Sequence, residues 1–298
     1  MAHSGSDKTV PALAIPTTPT AEEWRAMSPS ARESFQLRAI EALNAAADLM
    51  GEGRPHQKAK SRTIDALSLH FKATGRVVYL AEELTVLYPG TQPFCPDILA
   101  VLDIAEPEED ERMSWVVAEE GKGLDLVIEV LYRGDREKDL VGNVQRYAQL
   151  GISEYFIYDR LRHKIHAYRL PHTGASRYQP VLAQLGRYHS SVLQLDLQVA
   201  GTELRFLAGE AELPGSARLI DRLQGMVLSA GARAEQAEAS ALDARVRGVL
   251  TVLQARSIPV SETVRERIAA EQDAAQLDRW LQKALVVNSA EELIADPG

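Results

Sequence analysis

Two acidic residues stand where an apolar core should reject them. Asp97 opens the run Pro96-Asp97-Ile98-Leu99-Ala100-Val101, and Glu129 lies inside Leu124-Asp125-Leu126-Val127-Ile128-Glu129-Val130-Leu131. An ionised carboxylate in such surroundings is costly unless a cation or hydrogen-bond donors meet it. Two carboxylates converging from neighbouring strands suit a hard divalent cation. Magnesium takes one or two carboxylates and completes its shell with water and phosphate oxygens. An ion of that kind activates water and offsets the charge that builds on a phosphodiester during hydrolysis. On the pair alone, two plainer readings stay open: a turn-forming Asp at a strand end, and a Glu that meets an arginine.

The elements that must position this pair follow from periodicity. The run 124–131 is apolar on both faces apart from its acids, which predicts a central strand covered on both sides. Arg133-Gly134-Asp135 is the turn out of it, with Asp135 placed to cap a helix over 136–150. Leu140, Val141, Val144, Tyr147 and Ala148 share one face of that helix, and Gly151 ends it. Strands are expected at 77–80, 84–88, 98–104, 114–118, 154–159 and 164–170, then shorter ones at 178–182, 191–195 and 203–206. Upstream, a helix over 31–50 is broken at Gly51-Glu52-Gly53-Arg54-Pro55. A second helix spans 56–72 with Ile64, Leu67 and Phe71 as its buried stripe. Arg54, His56, Lys58, Lys60 and Arg62 form a basic cluster at its start. The three cations Lys58, Lys60 and Arg62 lie mostly off the stripe, either as a solvated face or as a surface that tracks a phosphate backbone.

Residues 1–20, rich in Ser, Thr, Pro, Ala and Gly, are expected to be disordered. Residues 21–210 form one α/β domain. Residues 216–298 form a helical extension: one long alanine-rich helix over 217–256, then three short ones. The long helix has no sustained heptad, so the extension is either a small helical domain or an appendage that forms a homodimer.

Bulk properties exclude several classes. The 298 residues are 45% hydrophobic and 25% charged, the balance of a soluble globular chain. No apolar run approaches the roughly 18 residues of a membrane helix, and no basic-then-apolar leader is present, so a cytoplasmic protein without membrane contact is expected. A net charge of -9 argues against a broad nucleic-acid footprint and leaves only a local one at 54–62. The single cysteine, Cys95, excludes an internal disulfide and a Cys-based zinc site, and reads as a small buried residue at a strand entrance. Paired histidines at ligand spacing, a Gly-x-Ser-x-Gly elbow and a phosphate-binding loop are all missing, which places other hydrolase classes last.

Taken together, Pro96-Asp97, Ile128-Glu129-Val130, a charged turn bearing Lys138, and Tyr147-Ala148-Gln149-Leu150-Gly151-Ile152-Ser153-Glu154-Tyr155-Phe156-Ile157-Tyr158-Asp159 resemble the Uma-type family of restriction endonucleases. That family belongs with the PD-(D/E)xK nuclease-like fold. The resemblance covers about residues 35–207, and Gly53 to His56 resembles the family's entry to a helix. It implies an α/β, restriction-endonuclease-like mixed β-sheet flanked by helices. It also implies a metal-dependent endonuclease that hydrolyses DNA, with Mg²⁺ or Mn²⁺ on Asp97 and Glu129. The lysine of the motif is displaced. Leu131 stands at the Glu-x-Lys position, and Asn143 stands four residues before the tyrosine, where relatives often carry it. Lys138, one turn earlier, is the available substitute, with Lys122 a remote second. His56, Asn143 and Arg146 join Arg54, Lys58, Lys60 and Arg62 as phosphate contacts under this reading. Glu52 and Glu83 are either additions to the metal shell or exposed loop acids. The displaced lysine, the acidic charge and the tail also fit a non-catalytic binding or assembly module of the same fold.

Overall fold

The computed structural model describes residues 14–47, 53–107, 109–132 and 136–295. The expected cap at Asp135, the turn 133–135 and Glu52 lie outside them. The chain divides into two compact units, residues 1–216 and 217–298.

The first unit begins with α1 (Ala21–Ala26), α2 (Pro29–Ala47) and α3 (Arg54–Thr74). Thr20 and Glu23 close a reciprocal cap at the start of α1. Ahead of it, Thr18 is buried, and its backbone exchanges hydrogen bonds with Gly90 and Thr91. Residues 14–20 are therefore extended chain pinned to a turn; the rest of the stretch expected to be disordered, residues 1–13, lies outside the described residues. The polar composition that suggested disorder is here satisfied by backbone pairing.

Strands β1 (Val78–Glu82), β2 (Thr85–Leu87), β3 (Ile98–Leu102) and β4 (Ser114–Val116) follow, with a single turn of helix, α4 (Val117–Glu120), where a longer strand was expected. Next come β5 (Leu126–Leu131), a π-helical turn over Lys138–Gly142, α5 (Asn143–Gln149), β6 (Glu154–Asp159) and β7 (Lys164–Arg169). The unit closes with β8 (Gln179–Pro180), β9 (Tyr188–Ser190), β10 (Leu195–Ala200), β11 (Glu203–Ala208) and β12 (Ala211–Glu212). The expected strand over 191–195 is a turn instead. Ser190 Oγ accepts from Leu193 N at 3.0 Å, and Gln194 takes a positive φ of 60°.

A mixed six-stranded sheet runs β1-β3-β5-β6-β7-β8, in which only β5 and β6 are parallel. The parallel pair requires a crossover, and the π turn with α5 supplies it. A second, antiparallel sheet has the order β12-β11-β10-β9, and β2 pairs with β4 in parallel. All six residues of β5 are buried. Leu126 and Ile128 join a core with Leu67 and Phe71 of α3 and Leu197 and Phe206 of the second sheet. Val127 and Leu131 point the other way, to Tyr147 of α5 and Trp115. The period-two alternation therefore sends Glu129 to the α5 face. This is the mixed sheet flanked by helices that the family resemblance implies.

The second unit continues α6 (Ser216–Ala255) into α7 (Glu262–Ala269), α8 (Ala274–Lys283) and α9 (Ala290–Ile294). Val249, Leu253, Ile268, Leu277, Trp280 and Leu293 form its core. No helix among the described residues is long and apolar enough to cross a membrane.

Candidate active site

Register brings the two acids together. In the antiparallel pairing of β3 with β5, Ile98 faces Ile128 and Leu99 faces Val127. Continuing that pairing by one step sets Asp97 opposite Glu129. The Asp97 N–H donates to Glu129 Oε2 at 3.1 Å, and the Val130 N–H donates to Asp97 Oδ2 at 2.6 Å. Each acid is thus held by the other strand's backbone.

The remaining contacts come from helices on opposite sides. Tyr147 of α5 donates its hydroxyl to Glu129 Oε1 at 2.9 Å. His56, in the first turn of α3, places Nε2 3.0 Å from Asp97 Oδ2. Lys60, one turn later, pairs with Glu83 and holds Nζ 3.7 Å from Asp97 Oδ1. Glu83 sits at a left-handed φ of 53°, and its N–H donates to the Asp97 carbonyl. A non-glycine residue in that conformation is uncommon and clusters at functional sites.

Glu129 is 5% exposed. Burial, then the negative charges of Asp97 and Asp139, push its carboxyl well above the usual carboxylate range, against the pull of Lys138 and the Asp97 N–H. Burial and Glu129 likewise raise the Tyr147 hydroxyl, so it remains a donor. Asp97 and Asp139 crowd negative charge around Glu129 that Lys138 only partly offsets, a condition a hard cation relieves. Among the described residues there is no cage of three or more His, Cys, Asp or Glu side chains. A divalent ion here would rest on two carboxylates and draw its other ligands from water and phosphate, the pattern magnesium adopts. The residues present fit such an ion.

The basic cluster of α3 does not behave as one surface. His56 and Lys60 are buried with Thr63, Leu67 and Phe71, at spacings of four, three, four and four. Lys60 is 2% exposed, so it belongs to the buried stripe and not to the solvated face. The expectation that it lies off the stripe is corrected. The error came from starting the stripe at Ile64, although 60, 64, 67 and 71 continue one helical face. Arg54 and Lys58 are exposed. Arg62 pairs with Glu203 of β11.

The crossover is also more structural than expected. Asn143 is buried and donates to Asp139 Oδ1 at 3.1 Å. Arg146 donates to the carbonyls of Gln92 and Pro93 and lies over the Phe94 ring at 4.7 Å, so it clamps that loop. Lys138 is exposed on the π turn, close enough for its charge to act on Glu129. Lys122 is bound elsewhere, to Asp125 at 3.2 Å and the Leu102 carbonyl at 2.5 Å. Asp125 itself caps the Leu102 N–H, a structural duty. Cys95 is exposed, not buried as expected, because it precedes the strand rather than entering it. A separate cleft of about 840 Å³ is lined by Arg169, Leu182, Leu185, Arg187 and His189, among others, and contains none of the residues above.

Fold and site together define a mixed-sheet α/β domain with an acidic pair, a buried Glu129 and a partly buried Asp97, beside a lysine. The Uma2 family model, described as "Putative restriction endonuclease", matches residues 39–203, and the chain belongs to that family. A search of curated proteins returns no match. Among solved structures, the crystal structure of a "putative nuclease belonging to DUF820" from Anabaena variabilis is similar at 17% identity. The likeness covers 50% of this chain and 80% of that one, with a TM-score of 0.39.

Proposed function

We propose that the first unit is a metal-dependent nuclease that hydrolyses DNA phosphodiester bonds. The observation that carries this reading is the convergence of Asp97 and Glu129 from adjacent strands, with Glu129 buried beside the charges of Asp97 and Asp139. Both carboxylates would hold Mg²⁺ or Mn²⁺. The ion, when bound, supplies Lewis-acid stabilisation of the phosphoryl oxygens and a more acidic water. His56 and the Val130 N–H orient Asp97, and Tyr147 orients Glu129. Lys138 adds positive charge from the α5 side. Arg54 and Lys58, exposed at the start of α3, are the cations left to meet a phosphate backbone. Cleavage of supercoiled plasmid in Mg²⁺ or Mn²⁺, lost in both Asp97→Ala and Glu129→Ala, is the expected result. Activity that survives either substitution removes the site assignment.

A second reading rests on α6. Ile220, Leu223 and Val227 are exposed along one face of its first half, at the i, i+3, i+7 spacing of a partner-binding stripe. Under this reading, the tail joins two copies of the chain. Light scattering of the full chain beside a version ending at residue 216 tests it: an unchanged oligomeric state refutes that use of the tail.

A further inference from the structure

Lys60 is the feature that the proposed site has not yet absorbed. A long cationic side chain that is 97% covered requires a reason, because a desolvated ammonium is expensive unless its partners compensate. The partners here are unequal. Glu83, whose side chain is half-exposed, forms a close ion pair with Nζ. Asp97 Oδ1 stands 3.7 Å from the same nitrogen, too far for a hydrogen bond yet close for a charge contact. The other oxygen of Asp97 is already taken by His56 and the Val130 N–H. Oδ1 is therefore the oxygen of Asp97 that faces a lysine instead of a fixed donor.

We propose that Lys60 is a positioning residue of this site, a resident cation that shares Asp97 Oδ1 with the metal and divides its charge between that oxygen and Glu83. The proposal rests on the metal-dependent reading above. Three observations converge on it. The buried stripe of α3 delivers His56 and Lys60 to the two oxygens of one carboxylate. Glu83 adopts its left-handed backbone at the point where it reaches Nζ. The opposite cation, Lys138, acts on Glu129 from an exposed turn, so no other described lysine is placed at Asp97.

The consequence is a trade between occupancy and readiness. In the free protein, Lys60 limits the negative charge at Asp97 and lowers affinity for a divalent ion. When a phosphodiester brings further negative charge, the same ammonium offsets it beside Oδ1 and holds Asp97 in place. Removing it should strengthen metal binding and weaken cleavage, an opposite pair of effects that a simple packing defect does not produce.

The test is isothermal titration of Mn²⁺ into the full chain and its Lys60→Met, Lys60→Arg and Glu83→Gln variants, with plasmid cleavage in parallel and thermal melts as a check on folding. Lys60→Met is expected to bind Mn²⁺ about tenfold more tightly and to cleave about 100-fold more slowly. Lys60→Arg, which keeps the charge, should return Mn²⁺ affinity to within about threefold of the unmodified chain. Glu83→Gln, at a half-exposed side chain, serves if Lys60→Met does not fold. By freeing the ammonium for Asp97, it should weaken Mn²⁺ binding by about threefold. Wild-type binding with no change in either Lys60→Met or Glu83→Gln overturns the role of Lys60 and leaves the metal reading standing. Absence of Mn²⁺ binding and cleavage in every form, Lys60→Met included, overturns the metal reading itself.

Discussion

Glu129 should cost the free protein stability, and Glu129→Gln should return it. Side chains opposite one another on antiparallel neighbours have Cβ atoms about 4.5–5.5 Å apart. Two like charges about 5 Å apart repel by about 3 kcal/mol at an effective dielectric of about 20. Asp97 and Asp139 both act on Glu129 in this sense, while Lys138 and the Asp97 N–H offset part of it. Glutamine keeps one oxygen for the Asp97 N–H, turns its amide NH2 toward the Tyr147 hydroxyl, which then accepts, and removes the charge. The expected gain is about 1–2 kcal/mol of unfolding free energy at neutral pH in EDTA, the Coulomb figure less the offsets. Urea unfolding followed by tryptophan fluorescence reads it directly, since Trp115 lies in the adjoining core. Adding Mn²⁺ should reverse the order, stabilising the unmodified chain by mass action and leaving Glu129→Gln where it was. A loss of 1 kcal/mol or more in Glu129→Gln without metal would refute the reasoning. Glu129 would then be a hydrogen-bond hub that the fold requires charged.

Two further predictions concern the frame. Asp159 is fully buried. Burial alone would raise its carboxyl, but Arg136 at 2.5 Å and the Arg162 N–H at 3.1 Å outweigh it and hold it below the ordinary range. A lowered folded value contributes stability above the unfolded pKa of about 3.9 and loses it as pH falls through the folded value. Asp159→Asn should therefore be less stable than the unmodified chain at pH 7 and converge with it as pH falls through the lowered folded value in urea titrations; a pH-independent gap would refute the ion pair as the cause. Gly123 has no room for a side chain, because a Cβ there would lie 2.6 Å from the Tyr88 hydroxyl, which accepts from the Leu124 N–H. Gly123→Ala should cost about 1–3 kcal/mol, and Tyr88→Phe should make the second substitution less costly; additive losses would show that the clash is not the cause.

Much of this architecture was legible because each central strand buries both faces. The runs around Asp97 and Glu129 could only be neighbours in one core, and an acid in each marked where that core opened. What the pattern concealed was which polar residues share an apolar face. Lys60 looked solvated because a lysine is rarely fully buried, yet His56, Lys60, Leu67 and Phe71 keep one helical spacing. Arg146 looked like a phosphate ligand because nothing local engages it. Its partners, Gln92 and Pro93, lie more than 50 positions earlier. The turn at 191–194 was read as part of a strand because Val192, Leu193 and Leu195 make a short apolar run with a branched residue. The tertiary donor set of Glu154, which takes Ser190 Oγ at 2.5 Å and Ser191 N at 2.8 Å, holds the chain in a bend there.

The face of α3 that packs Leu67 and Phe71 also carries His56 and Lys60 to Asp97. One residue inserted between Lys60 and Leu67 would turn the start of the helix by about 100° against its end. The core half would stay seated while the chemical half rotated away. This segment can change over generations by exchange of side chains, but not by gain or loss of a position, and insertions that lengthen the chain must fall in its loops. A milder consequence follows for substitutions deep in the core. Trimming Leu67 lets the helix settle by a fraction of an ångström, and the residue that registers the shift is a lysine two turns away. Heat-sensitive alleles that lose activity before they lose structure should therefore accumulate along this one stripe.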